Sequence, residues 1–318
     1  MVSKVTPDTM LSASRLPAVM GLSPYRSAND ELQYSINALK GGEREDIGNE
    51  SMAWGNHLEP VILLEAARRL ELSSLVTEHP EARYHTELPL CCSLDGTADG
   101  RGQVISNDPD RGIFVIGKDS IKLDGIGVIE AKLTALAPEE TPALHRGPVQ
   151  LQGQMDIVGA KWGVVAVLYQ GTKLRVFLFE PHSATLDAIA AAAKVFQGKL
   201  DFWKKNDSID FYPPKDSGDA NRMWPQASEE AIHLSEGAER LVNTIVAAKL
   251  AADKAEESRL TAEAELKTML GSHSKGLTGS YQVNWPMRQY KAQQAKNVPA
   301  KEAYSIRQTN LTIKELTK

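Results

Sequence analysis

The sequence predicts an α/β protein: a mixed central sheet flanked by helices, followed by a helical C-terminal extension. Three observations carry this. Apolar residues recur at helical spacing through the first seventy positions, a period nearer two with glycine punctuation takes over from Tyr84, and an Ala/Glu/Lys/Leu run follows residue 229. The composition permits it, because 318 residues with 42% hydrophobic and 24% charged side chains can bury a real core and fit neither a disordered nor a disulfide-dense chain.

Residues 14–21 read as a short helix with Ser14 as N-cap, Pro17 in the first turn and Gly21 as the stop. A second helix is expected over 28–40, where Leu32, Ile36 and Leu39 share a face, and the acidic stretch 41–48 as a loop. After Trp54-Gly55, the spacing of Leu58, Ile62, Ala66 and Leu70 predicts a third helix, with Pro60 in its first turn or at a kink. Strands are expected near 88–94, 113–117, 126–133, 163–169 and 173–180, and helices over 148–160 and 184–206. Three prolines and several small polar residues between 212 and 228 mark a linker, which divides the chain into a core of residues 1–212, a linker over 213–228 and an extension over 229–318. Within the extension, 229–270 reads as a long helix or helical hairpin whose heptad pattern lasts about two turns. A strand near 281–285 and a basic end follow.

Several function classes drop out. Cys91 and Cys92 are adjacent, a poor geometry for a disulfide, and two cysteines cannot build a four-cysteine zinc site or an iron–sulfur cluster. They read as reduced thiols. The seven histidines show no metal spacing, and there is no phosphate loop or dinucleotide fingerprint. The longest apolar run, 164–169, is far too short to span a bilayer, and the first residues lack the pattern of a signal peptide, so the expectation is a cytoplasmic protein without membrane contact. The net charge of −5 argues mildly against a protein that coats nucleic acid. That average conceals an asymmetry: residues 271–318 hold eight basic against two acidic side chains, leaving −11 on the rest.

The segment Gly127-Val128-Ile129-Glu130-Ala131-Lys132 carries the chemistry. On a strand, Glu130 and Lys132 project from the same side, roughly 7 Å apart. A carboxylate and an ammonium so placed can hold a divalent cation and position a water against a phosphodiester. The spacing alone is common, as Glu265 and Lys267 show on the long helix. Its neighbours add weight. Asp95, in Ser93-Leu94-Asp95-Gly96, can bring a second carboxylate, with Asp99 and Asp124 as rivals that are also followed by glycine. Gln150 and Gln154 share a helix face. Glu59 lies near the expected start of the third helix, where the dipole favours a carboxylate, and Ser14 with Arg26 could cradle a phosphate.

The order of these blocks resembles the YqaJ family of viral recombinases, relatives of the phage lambda exonuclease in the PD-(D/E)XK nuclease superfamily. The blocks are Ser12 through Tyr25, Trp54-Gly55 through Glu59-Pro60, Ser93 through Gly96, Val128 through Lys132, and Gln150-Leu151-Gln152. The resemblance implies a restriction-endonuclease-like sheet and 5′ to 3′ digestion of linear double-stranded DNA in phage-type recombination by single-strand annealing. It implies that Asp95, Glu130 and the Ala131 carbonyl ligate Mg²⁺, with Mn²⁺ as a substitute, and that Lys132 positions and deprotonates the attacking water. Glu59 would complete the acidic cluster, Gln150 would stand beside the water or scissile phosphate, and Ser14 and Arg26 would grip the 5′-terminal phosphate. A homo-oligomer, a ring-shaped trimer in the family, and a single-strand annealing partner are implied as well.

Between Asp95 and Glu130 lie 34 residues, more than a tight hairpin needs. Either a longer hairpin is inserted around 101–124 or Asp124 replaces Asp95. The alternative functions are an endonuclease of the same superfamily and a non-catalytic protein that binds DNA ends or acts as a scaffold. Against the last, a silent protein has no physical reason to keep a buried, mutually repelling carboxylate pair.

Overall fold

The computed structural model describes residues 6–42 and 48–287; most of the 41–48 loop and most of the basic end lie outside the described residues. The chain forms two compact units, Met1–Trp224 and Pro225–Lys318.

In chain order the first unit contains β1 (Leu11–Ser12), a 3-10 turn (Ala13–Arg15), α1 (Leu16–Val19), α2 (Ala28–Leu39), α3 (Glu50–Arg69), β2 (Ser73–Val76), β3 (Arg83–Tyr84), β4 (Leu90–Cys92), β5 (Gly96–Asp99), β6 (Gln103–Ser106), β7 (Ile113–Val115), β8 (Ser120–Leu123), β9 (Ile126–Thr134), α4 (Pro148–Val158), β10 (Gly163–Tyr169), β11 (Lys173–Phe179), α5 (Ser183–Asn206) and α6 (Ser217–Met223). The main sheet runs β2-β5-β9-β10-β11-β7. It is mixed: β9 and β10 are parallel, as are β11 and β7, and the other pairs are antiparallel. The expected mixed sheet flanked by helices is therefore present.

The layers follow from alternation along β10. Val165 and Val167 point into one core with Leu16, Leu32, Leu151 and Phe196, which come from α1, α2, α4 and α5. Val164 and Ala166 point into a second core with Ile62, Leu63 and Ala66 of α3. A strand covered on both faces reads as the continuous apolar run seen in this sequence. At Gly127 a Cβ would lie 2.2 Å from the Trp162 ring, so only glycine lets the indole rest against β9.

Several elements differ from expectation. Ser14 is not a cap: Ser12, with extended backbone, precedes the 3-10 turn, and Ser14 sits exposed in its middle with its Oγ 3.0 Å from that of Ser12. The third helix begins at Glu50 under an Asn49 cap, so Pro60 lies inside it and Glu59 is mid-helix, where the dipole gives no reason for a carboxylate. The region read as a linker includes α6, which docks on α2. Buried Asp219 accepts from Ser27 Oγ at 2.6 Å, Asn29 Nδ2 at 3.1 Å and Lys215 N at 2.8 Å, and Arg222 pairs with Asp30 at 2.7 Å.

In the second unit, α7 (Ala238–Leu270) is shorter than the expected 229–270 helix and most of its surface is exposed. It is followed by an antiparallel hairpin of β12 (Lys275–Thr278) and β13 (Tyr281–Asn284). Gly276 lies against Leu270, the one buried residue of α7, and Lys267 stands over the Trp285 ring. Among the described residues no helix is long and apolar enough to cross a membrane.

Candidate active site

Strand β9 aims the central pair. Val128 belongs to the α4/α5 core and Ile129 and Ala131 to the α3 core, so Glu130 and Lys132 leave the strand on the α4 side. Glu130 is 1% exposed, and a carboxylate so buried needs charged or hydrogen-bonding partners. It has them: Lys132 Nζ pairs with Oε1, and Gln154 Nε2 donates to Oε2 at 2.6 Å. The same Gln154 amide donates to Ser93 O at 3.1 Å, tying α4 to the segment that carries Asp95.

Antiparallel pairing of Gly96 with Ile129 brings Asp95 beside the same stretch of β9, and its Oδ2 accepts from Ala131 N at 3.0 Å. The 34 intervening residues form the longer insertion: β6 and β8 pair as an antiparallel ribbon, and β7 crosses to the far edge beside β11. Asp124 is exposed and pairs with Lys161 at 3.0 Å, and Asp99 accepts from Arg101 N at 2.9 Å in a turn. The aspartate at Glu130 is thus Asp95.

The electrostatics show crowding. Burial, then the charge of Glu130 and more weakly that of Glu59, hold the Asp95 carboxyl well above the usual carboxylate range against the opposing pull of Lys132 and the Ala131 N–H. Burial and Glu130 also raise Glu59, so α3 brings a third carboxylate into the same field. For Lys132, burial works against the charge, but Glu130, Asp95 and Glu59 outweigh it and hold the ammonium above the usual lysine range. The group is a cation and a hydrogen-bond donor.

Lys132 also lines a cleft of about 350 Å³ with Ser14, Tyr25, Arg26, His145 and Arg146. Arg26 is held by Glu31 at 2.6 Å, and the other Glu31 oxygen is held by buried Arg15 at 2.5 Å. Two residues expected to grip a phosphate, Ser14 and Arg26, therefore share a cleft with Lys132. Gln150 is half-buried on α4, one turn before Gln154; the amide that touches Glu130 is that of Gln154.

Residues 6–135 match the YqaJ-like viral recombinase domain. The matched segment contains Ser14, Arg26, Glu59, Asp95, Glu130, Ala131 and Lys132 and ends before α4. Solved structures similar to the chain include an alkaline exonuclease from Laribacter hongkongensis, at 15% identity over 63% of this chain and 94% of that one with a TM-score of 0.43. A phage-related exonuclease from Haemophilus somnus 129PT is 14% identical over 63% of this chain and 96% of that one, with a TM-score of 0.41. No curated protein matches the chain.

The donors that β9 and its neighbours place together suit a hard divalent cation. Among the described residues, no three His, Cys, Asp or Glu side chains close into a ready cage. Mg²⁺ does not require one, since it is usually held by one or two carboxylates and keeps several waters. Asp95, held by the Ala131 N–H, and Glu130, held by Gln154, supply two carboxylates beside the same stretch of β9, and that pair of hard oxygen donors fits a dication, which would relieve their mutual repulsion. Sequence reasoning favours Gln150 and passes over Gln154, although their shared helix face is an available signal. Arg146 and His145 carry no signal: they lie in a loop, and only the tertiary fold brings them beside Lys132.

Proposed function

We propose that the first unit is a metal-dependent deoxyribonuclease that digests linear double-stranded DNA from its 5′ ends in phage-type recombination. The observation that carries this reading is the convergence of Asp95, Glu130 and Glu59 on Lys132, beside a cleft that contains Arg26 and Ser14. Asp95 and Glu130, with the Ala131 carbonyl, would hold Mg²⁺, which when bound lowers the pKa of a water and neutralises charge on the phosphoryl group. The chain's own residues do the rest. Lys132 donates hydrogen bonds to the attacking water or a phosphate oxygen and stabilises the negative charge that develops there. Gln154 fixes the Glu130 carboxylate in place, Glu59 adds to the field that keeps Lys132 charged, and Gln150 stands one turn away on the same helix. Arg26 and Ser14 bind the 5′-terminal phosphate, which favours ends over internal sites and so favours an exonuclease over an endonuclease. A homo-oligomer, with a trimer as the expected form, and a single-strand annealing partner belong to the same proposal.

The test is digestion of linear and covalently closed circular duplex of one sequence, with Mg²⁺ or EDTA. Linear DNA should be degraded with Mg²⁺ only and the circle left intact. Nicking of the circle would replace the exonuclease with an endonuclease.

A further inference from the structure

Helix α7 is one unbroken run of 33 residues in which Leu270 alone is buried. A helix in water draws most of its stability from packing one face against another element, and α7 leaves most of its length of about 50 Å exposed. Its large side chains alone give a heptad of two turns, but the spacing continues once alanine is counted as a seam residue. Alternating steps of four and three from Leu241 lead through Ile245, four alanines and Arg259 to Leu266 and Met269, so eight of the nine positions are apolar. Four heptads of this kind form the seam of a coiled coil. The large members are open: Leu241 is 59% exposed, Ile245 42%, Leu266 39% and Met269 79%. A second apolar row, Val242, Val246 and Leu250, stops at Asp253 and Glu257 and does not compete.

The one charged seam residue decides what covers the others. Arg259 is held on its own helix by Glu256 at 2.7 Å and Glu263 at 2.8 Å. In a parallel pair of α7 helices, equivalent residues face each other and two Arg259 guanidinium groups meet. In an antiparallel pair centred between Ala252 and Ala255, those two alanines face each other, Arg259 faces Ala248, Ile245 faces Ala262, and Leu241 faces Leu266. Small residues then lie opposite Ile245 and the Arg259 stem, and the terminal leucines close the ends. The flanking charges agree. Lys249 and Glu256 meet twice across the antiparallel pair, whereas a parallel one sets them beside Thr244 and Ala251.

We propose that α7 pairs with α7 of a second copy of this chain as an antiparallel two-stranded coiled coil. Its alanine layers let the two axes approach to about 8 Å, the lower end for packed helices. The contact is made by the second unit and rests neither on the nuclease reading nor on the trimer that accompanies it.

The test uses the full chain. Leu241 and Leu266 lie about 38 Å apart along one helix, too far for a disulfide within a chain, and the native Cys91 and Cys92 are buried. The double variant Leu241→Cys/Leu266→Cys should form covalent dimers under mild oxidation, and each single variant and the wild type almost none. A single variant that cross-links as efficiently as the double has parallel helices and overturns the proposal. In sedimentation equilibrium, Ile245→Glu/Leu266→Glu puts charge into the seam at two exposed positions and should halve the mass of the wild type, whatever number the first unit assembles into. Val246→Glu, one position off the seam, should leave the mass unchanged. If the double glutamate variant keeps the wild-type mass, or the double cysteine variant gives no dimers, the seam is covered by residues 288–318 or by another protein, and the proposal falls.

Discussion

Glu130 shows what the site costs and what would relieve it. Its carboxylate is nearly sealed from solvent between Lys132 and Gln154, and its charge adds to the burial that raises Asp95 and Glu59. A ligand that binds only the folded state stabilises it by mass action, about 2.7 kcal/mol at a hundred times its Kd. Mg²⁺ should therefore raise the wild-type Tm, and Glu130→Gln should abolish the increase; an equal increase in both would place the cation elsewhere. Lys132→Ala should remove cleavage, a loss of about 10²-fold or more as for other transition-state donors, and leave duplex binding nearly intact in a gel-shift assay. Alternation on one strand made the Glu130 and Lys132 pairing legible in the sequence. The choice of Asp95 over Asp124 was not legible, because it depends on where β6, β7 and β8 go between them.

At the scale of elements, the docking of α6 on α2 rests on few groups and is easily probed. Asp219→Ala leaves Ser27 Oγ, Asn29 Nδ2 and Lys215 N without their buried acceptor, a change that costs about 1–3 kcal/mol. Thermal denaturation should show the loss. The same interface has a pH dependence. Burial works to raise Asp30, but its contacts with Arg222 and Ser27 outweigh this and lower it. A carboxyl lowered in the folded state contributes stability above its unfolded value, and that contribution disappears as pH falls through the lower folded value. Proteolysis at the 213–224 segment should accelerate in acid, below the usual carboxylate range, and Asp30→Asn should remove the difference. Sequence reasoning located α2, α4, β10, β11 and α5 because each has a strong local period. It missed α6 because three prolines and a run of small polar residues read as a linker, while the partners that account for its buried Asp219 include Ser27 and Asn29, about 190 positions away. Glu50 and Asn49 likewise start α3 before any apolar stripe begins.

For the whole molecule, the chain's net charge of −5 is the sum of unlike parts, and the basic residues concentrate after residue 287, with seven against two acidic ones in 288–318. If those residues neutralise phosphates, removing them flattens the salt dependence of DNA binding by about 0.9 in log–log slope for each phosphate released. Deleting 288–318 keeps the β12–β13 hairpin and should reduce the slope; an unchanged slope would assign DNA binding to the first unit alone. The fold class was legible because the sheet and its helices are written in local periodicity. The candidate site was legible in part, since Glu130, Lys132, Asp95, Glu59 and Ser14 stand in recognisable blocks and Arg26 directly follows one. Gln154, His145 and Arg146 needed the tertiary structure.

The central claim is that Asp95, Glu130 and Lys132 cleave duplex ends that Arg26 and its cleft hold by the 5′-phosphate. The most direct measurement is time-resolved digestion of linear duplex labelled at either the 5′ or the 3′ end, with Mg²⁺ or EDTA and with 5′-phosphoryl or 5′-hydroxyl termini. The expected result is Mg²⁺-dependent early release of the 5′ label, faster from phosphorylated ends, with Arg26→Ala erasing the preference. Early release of the 3′ label, or equal release in EDTA, would contradict the account.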